Sequence, residues 1–236
     1  MRLHRFFVDQ SFDGETIAIT DADLLHQWSR VLRYTGGEQV ALIDGKGKEV
    51  MGALTSCSRT EAVVEVTSRT TSKEPEQPTL TLYFSPLKRD LTELVLQKGT
   101  ELGVSCFQPI LCDRTVRDGF HLERTARILK EATEQSGRLW LPEFQSPCSF
   151  KEALAENKAQ QTFFSTLVVS EERKGHKEKG TSSIALFVGP EGGWTEVEES
   201  QALEAGYTPF QLSAQVLRAE TACIAGVALL RAKSLV

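Results

Sequence analysis

Five consecutive apolar residues, 184–188, run directly into Gly189-Pro190-Glu191-Gly192-Gly193-Trp194. A strand with one wet face alternates apolar and polar side chains, whereas an unbroken apolar run bounded by turn residues reads as a strand buried on both faces. Such a strand needs helices above and below it, so a mostly parallel α/β sheet is the expected setting. The segments around it keep that rhythm. Residues 80–85, 107–112, 162–169 and 209–212 read as strands, and 90–102, 123–138, 149–156 and 219–236 as helices. Ser149 with Glu152, and Thr195 with Glu198, have the spacing of capping boxes that start helices, and Gly206 ends the second of these. Residues 171–180 read as a charged loop.

The first part of the chain has another rhythm. Residues 5–8 and 16–19 are short strand candidates. Residues 21–33 carry Leu24, Leu25, Trp28, Val31 and Leu32 on one helical face, and Gly36-Gly37 ends the pattern. Residues 39–44, 49–56 and 61–67 alternate as strands, with Asp44-Gly45-Lys46-Gly47 as a hairpin turn. The stretch 68–78 is polar and contains two prolines, the composition of a linker. The expected division is a small, mostly β domain at 1–70, a linker at 71–78 and an α/β domain at 79–236.

Composition excludes several classes. With 40% hydrophobic and 25% charged residues the chain is an ordinary globular one. It has no run of roughly 18 apolar residues for a membrane span, and the apolar part of its basic start is too short for a signal peptide. The five cysteines are widely spaced without C-x-x-C, and the four histidines lie far apart, so no metal is expected and a cytoplasmic location is. The net charge of −5 counts mildly against a nucleic-acid partner. Local clusters count the other way: Arg2 and Arg5 at the start, and Arg114, Arg117, Arg124, Arg127, Lys130 and Arg138 in one central stretch.

Chemistry has four candidate places. The glycine turn 189–193 follows a buried strand, and ligands in open α/β sheets bind beyond the carboxyl ends of strands. Its spacing is neither that of a dinucleotide fingerprint nor that of a P-loop; a plain helix-capping turn is the alternative. Residues 212–221, Leu-Ser-Ala-Gln-Val-Leu-Arg-Ala-Glu-Thr, place Arg218 and Glu220 at a helix entry, where a dipole-complementing carboxylate and a solvated arginine are the alternative. Lys88, Glu93, Gln97, Lys98 and Glu101 share a helical segment that pairing at i,i+4 would also explain. Glu131, Glu134, Gln135 and Arg138 form a polar helix face or a base- and phosphate-reading one.

Taken in order, these segments resemble the RsmE family of 16S ribosomal RNA (uracil-N3) methyltransferases, within the SPOUT superfamily. The opening M-R-L-H-R-F-F is similar to the family's M-R-x-x-R-x-F. H-Q-W-S-R-V-L-R at 26–33 is similar to H-x-x-x-V-L-R, and Q-K-G-T-E-L-G-V at 97–104 to Q-K-x-x-E-L-G-V. E-A-T-E-Q-S-G-R at 131–138, G-P-E-G-G-W-T at 189–195 with Glu198, and L-R-A-E-T-A at 217–222 each match a family segment. The departure is at 212–218, L-S-A-Q-V-L-R, where the family reads L-G-x-R-[IV]-L-R: Ser213 replaces the glycine and Gln215 the first arginine, leaving Arg218 as the cation.

The resemblance implies a PUA-like β-barrel for RNA binding ahead of a SPOUT-type parallel sheet with a C-terminal trefoil knot. It implies a homodimer that binds S-adenosyl-L-methionine at the knot and methylates N3 of a uridine in 16S rRNA of the small ribosomal subunit. On this reading the cofactor contacts are Leu186, Val188, Gly189, Glu191, Gly192, Gly193, Leu212, Ser213, Val216, Leu217 and Thr221. Arg218 and Glu220 are the catalytic candidates. Arg2, Arg5, Arg30, Arg33, Lys98, Arg114 and Arg138 are the candidate RNA contacts. The alternatives are a non-catalytic RNA-binding or ribosome-assembly factor and a SPOUT methyltransferase acting on another RNA.

Overall fold

The computed structural model describes residues 3–73, 78–116, 120–167 and 181–234. Arg2, Arg117 and the 171–180 loop therefore lie outside the described residues. The chain divides into two compact units, Met1–Pro75 with Thr133–Leu141, and Glu76–Ala132 with Pro142–Val236. No described helix is long and apolar enough to cross a membrane.

The first unit holds β1 (His4–Phe7), β2 (Thr16–Ile19), α1 (Ala22–His26), β3 (Gln39–Ile43), β4 (Lys48–Cys57) and β5 (Ala62–Thr71). They form a five-stranded mixed sheet in the order β1-β3-β4-β5-β2, with β1 and β3 parallel and the other pairs antiparallel. The alternating residues Ile17 and Ile19, Val40 and Leu42, and Val50 and Leu54 supply its core, as period-two patterning requires. The 44–47 hairpin turns on Gly45 and Gly47, both at positive φ, and Asp44 Oδ1 accepts the Lys46 and Lys48 N–H groups at 2.7 and 2.9 Å. β5 continues to Thr71, into the polar stretch.

The helical face expected over 21–33 is realised in two pieces. Asp21 caps α1 by accepting the Leu24 N–H at 2.8 Å, and then the chain widens into a π-helical turn at Gln27–Val31. Leu32 N–H closes that turn on Gln27 O at 2.9 Å. Trp28 is fully buried inside it, edge-on to Phe6 at 5.1 Å. Arg33 leaves the turn at φ 57°, a left-handed conformation that ends helices but costs a side-chain-bearing residue about 1–2 kcal/mol. The segment Thr133–Leu141 packs in this unit: Glu134 accepts the Phe7 N–H at 2.7 Å and Leu141 N–H bonds Gly45 O at 2.9 Å.

The second unit contains β6 (Thr79–Phe84), α2 (Arg89–Glu101), β7 (Cys106–Leu111), α3 (Leu122–Ser136), β8 (Glu143–Phe144), β9 (Cys148–Ser149), α4 (Phe150–Glu156), β10 (Gln161–Ser165), β11 (Ser183–Val188), α5 (Glu196–Glu204), β12 (Thr208–Phe210) and α6 (Ala219–Ser234). Its last helical turn of α3 belongs to the Thr133–Leu141 segment already described. The sheet order is β12-β10-β11-β6-β7-β8, with β9 also on β7, and every pairing is parallel. The expected buried strand is β11, between β10 and β6. Ala185 and Phe187 face a cluster with Phe150 of α4, Phe164 and Ala202 of α5. Leu186 faces the other way, under Gly226 of α6, where a Cβ would come within 2.7 Å of its Cδ2. Both faces are thus covered, which explains the unbroken apolar run.

Both expected capping boxes form, at Ser149/Glu152 and Thr195/Glu198. The strand expected over 162–169 stops at Ser165, and that over 209–212 is Thr208–Phe210. The two-residue strands β8 and β9 have no signal in the sequence, being too short for any periodicity. On α2, Glu93 pairs with Arg124 and Arg89, its Oε2 accepting Arg124 Nη2 at 2.6 Å. The Arg124 hydrogen bond, reinforced by Arg89, holds the Glu93 carboxyl down to about 2. Its contribution to stability is complete above the ordinary carboxylate range and is lost as the pH falls through about 2. A carboxyl-carbon NMR titration is expected to place the Glu93 transition at about 2, below the ordinary carboxylate range.

Candidate ligand cavity at the strand ends

Beyond the carboxyl ends of β10 and β11 lies a cavity of about 750 Å³. Three stretches of chain make its wall: residues 165–167 leaving β10, 188–194 leaving β11, and 212–213 with 215–220 approaching and opening α6. Leu91, Glu199 and Ala222 complete it. This is the crevice where ligands of parallel α/β sheets bind, and its size is that of a small-molecule site.

The glycine turn is held from below and from the side. Gly193 N–H bonds Pro190 O at 2.9 Å, and Gly193 has φ 71°. Arg114 reaches in with Nη1 donating to Gly192 O at 2.9 Å and to Trp194 O at 3.0 Å. Trp194 folds under the turn, stacked on Phe164 at 4.6 Å, with Nε1 donating to Ser165 O at 2.9 Å. The same tryptophan ring fills the space where Gly189 would carry a Cβ: that atom would lie 2.7 Å from Trp194 Cε2. Gly189 is therefore glycine for room and Gly193 for its φ. Gly189→Ala is expected to destabilise the fold by about 1–3 kcal/mol, as overpacking does, and urea denaturation measures it.

The helix after the turn is fixed to the same frame. Glu198, 4% exposed, accepts Thr195 N–H at 2.8 Å through Oε2 and Asp113 N–H at 3.0 Å through Oε1. Its buried charge is thus satisfied by backbone donors. On the opposite wall, Ser213 Oγ accepts the Gln215 N–H at 3.1 Å and donates to Gln215 Oε1 at 3.2 Å. The two residues that depart from the family pattern bond to each other, and both remain on the cavity wall.

Of the residues singled out in the sequence, Val188, Gly189, Glu191, Gly192, Gly193, Leu212, Ser213, Val216, Leu217, Arg218 and Glu220 all come together on this cavity. Leu186 lies fully buried behind the wall, and Thr221 is exposed outside it. Arg218 is exposed and Glu220 is 9% exposed. In the first unit, Arg5 pairs with Glu49 at 2.9 Å, Arg30 and Arg33 are exposed, and Arg138 is buried. In the second, Lys98 pairs with Glu101 at 2.8 Å, and Arg114 bonds the turn carbonyls as described. Leu91, Ser165, Thr166, Leu167 and Glu199 are wall residues that no motif in the sequence marks. The signal available was the end of the strand at 162–165, since carboxyl ends of neighbouring parallel strands share one crevice.

Residues 74–231 match the model of the RNA methyltransferase domain family. The ribosomal RNA small subunit methyltransferase E of Synechocystis is 34% identical over 215 residues, covering 88% of this chain and 70% of its own length. That of Bacillus subtilis is 31% identical, covering 93% of each chain. Among solved structures, the Neisseria gonorrhoeae ribosomal RNA small subunit methyltransferase E bound to S-adenosyl methionine superposes with a TM-score of 0.86 at 31% identity, over 98% of both chains. A Legionella pneumophila methyltransferase in complex with the same cofactor gives a TM-score of 0.86 at 25% identity, over 99% of this chain and 98% of that one. With likeness running along nearly its whole length and a cavity built from its most specific motifs, this chain belongs to the ribosomal RNA small subunit methyltransferase E (RsmE) family of RNA methyltransferases.

Proposed function

We propose that this protein transfers the methyl group of S-adenosylmethionine to N3 of a uridine in the 16S RNA of the small ribosomal subunit. The observation that carries the reading is the convergence of the glycine turn and the 212–220 stretch on one cavity of nucleoside size. The residues fit the cofactor. Gly193 has open space where a Cβ would stand, which leaves its backbone edge bare for an adenine, Leu167, Val188, Leu212 and Leu217 offer apolar surface for its ring, and carboxylates on the wall suit a positively charged ligand. The solved relatives that carry this cofactor support the same assignment.

When bound, the donor supplies a methyl on a sulfonium, already activated for transfer. What remains for the chain is orientation and charge. The turn residues hold the adenosine end in place, fixed from behind by Trp194 and Arg114. As the N3–methyl bond forms and the methyl–sulfur bond breaks, uracil N3 must give its proton up to solvent water before or during attack, and its loss builds negative charge on the base. The guanidinium of Arg218, exposed on the wall, stabilises that charge.

The finer architecture follows the family. We take the mixed sheet of residues 1–70 as a PUA-like RNA-binding barrel, 71–78 as the linker and 79–236 as a SPOUT domain with a trefoil knot. The protein acts in the cytoplasm as a homodimer, with Arg5, Arg30, Arg33, Lys98 and Arg114 near the RNA, whereas Arg138, buried in the first unit, is no RNA contact. A non-catalytic RNA-binding role would be favoured if Ser213 and Gln215 closed the cofactor loop, but their mutual bond leaves the wall open. The test is incubation of small subunits lacking the modification with the protein and the methyl-labelled donor. Digestion to nucleosides is expected to recover the label as 3-methyluridine; label in another nucleoside would move the reading to another position, and no label would remove the activity.

A further inference from the structure

The described wall of the cavity carries three carboxylates, Glu191, Glu199 and Glu220, against the one guanidinium of Arg218. Their surroundings differ. Glu191 is exposed at the rim, and Glu199 accepts a hydrogen bond from Thr166 Oγ1 at 3.0 Å. Glu220 is 9% exposed, lies in the first turn of α6, and accepts no hydrogen bond from any described residue. Most of its side chain is covered, and a carboxylate held partly out of water without a protein partner is costly. The start of α6 offsets part of it, because a helix N-terminus favours negative charge. A dipole, however, leaves the carboxylate's own acceptor sites empty, and they border the cavity. The charge is felt nearby: burial pushes the Cys223 thiol up, and Glu220 adds to the rise.

We infer that Glu220 reads the charge of the methyl donor, so that the cavity holds the cationic sulfonium form and releases the neutral thioether left after transfer. The inference rests on the cavity being the S-adenosylmethionine site. Donor and product share the adenosine, ribose and amino-acid parts, so the glycine turn and the apolar wall hold both alike. They differ by one methyl and one positive charge, and of the wall groups the one most sensitive to the second is a largely covered carboxylate without a protein partner. Glu199 has a partner and Glu191 is screened by water. An interaction of this kind, between opposite charges away from bulk water, gives roughly tenfold to hundredfold in affinity. The consequence for turnover is that the product competes poorly with fresh donor.

The test is calorimetry of the full-length protein with S-adenosylmethionine, S-adenosylhomocysteine and sinefungin, whose amine carries the positive charge without a transferable methyl. The wild type is expected to bind both cations at least about tenfold more tightly than the neutral product. Glu220→Gln is expected to bring the ratio close to one by weakening the cations alone, whereas Glu220→Asp, which keeps the charge, retains most of it. Circular dichroism melts establish that each variant is folded, and should Glu220→Gln fail to fold, the wild-type ratio and Glu220→Asp still decide. A wild-type ratio near one overturns the inference, and so does an equal loss of all three ligands in Glu220→Gln, which is what a role confined to starting α6 predicts. If the wild type binds none of the three, the cofactor assignment itself fails and takes the inference with it; binding of all three at equal strength fails the inference alone.

Discussion

Arg218→Ala is expected to lower methyl transfer to the small subunit by about 10²–10³-fold at saturating RNA and donor, the loss typical of removing one group that stabilises developing charge. Arg218 lines the cavity but is exposed, with no ion pair among the described residues, so its removal leaves the packing untouched. Its thermal midpoint should therefore match that of the wild type, and the defect should fall on turnover rather than on folding. Gln215 beside it strengthens the expectation. Where the family carries an arginine, this chain has an amide already engaged with Ser213, so no second guanidinium on the described wall can replace Arg218. Single-turnover methyl incorporation measures the effect. Unchanged turnover would remove Arg218 from the chemistry.

Trp194→Ala is expected to destabilise the second unit by about 3–5 kcal/mol, the range for deleting a large buried aromatic. The ring is 9% exposed, stacks on Phe164 at 4.6 Å, tilts against Phe150 at 5.2 Å and donates to Ser165 O at 2.9 Å. It also fills the space beneath Gly189, so its loss frees the turn as well as opening a void. The urea midpoint should fall accordingly, and donor affinity should fall with it under conditions where the variant is still folded. An unchanged midpoint would show that the turn stands without its floor.

Much of this was legible in the sequence because it is local. Strand and helix rhythm depends on side-chain periodicity along a few turns, and the buried run 184–188, the capping boxes and the glycine turn all declare themselves within ten residues. The cavity's two principal walls were legible for a different reason: their residues sit in motifs whose order matches a family. The π-helical turn at Gln27–Val31 was not legible, because a single wide turn shifts the register by one residue and leaves the apolar pattern helical. The grouping of Thr133–Leu141 with the N-terminal strands depends on bonds to Phe7 and Gly45, far away in the chain, and no local pattern encodes them. Arg114 reads in the sequence as one basic residue among several, yet its guanidinium bonds the carbonyls of Gly192 and Trp194, some eighty residues on. Glu220 illustrates the same limit at the site. Its place at a helix entry was readable, but its burial without a partner is a property of the folded wall.

The most direct measurement of the central assignment is a crystal structure of this protein grown with S-adenosylmethionine. The expected result is cofactor density in the cavity, with the adenosine against residues 188–193 and 212–217 and the sulfonium end toward Arg218 and Glu220. Density at any other place on the chain, or an empty cavity at cofactor concentrations that saturate methyl transfer, would contradict it.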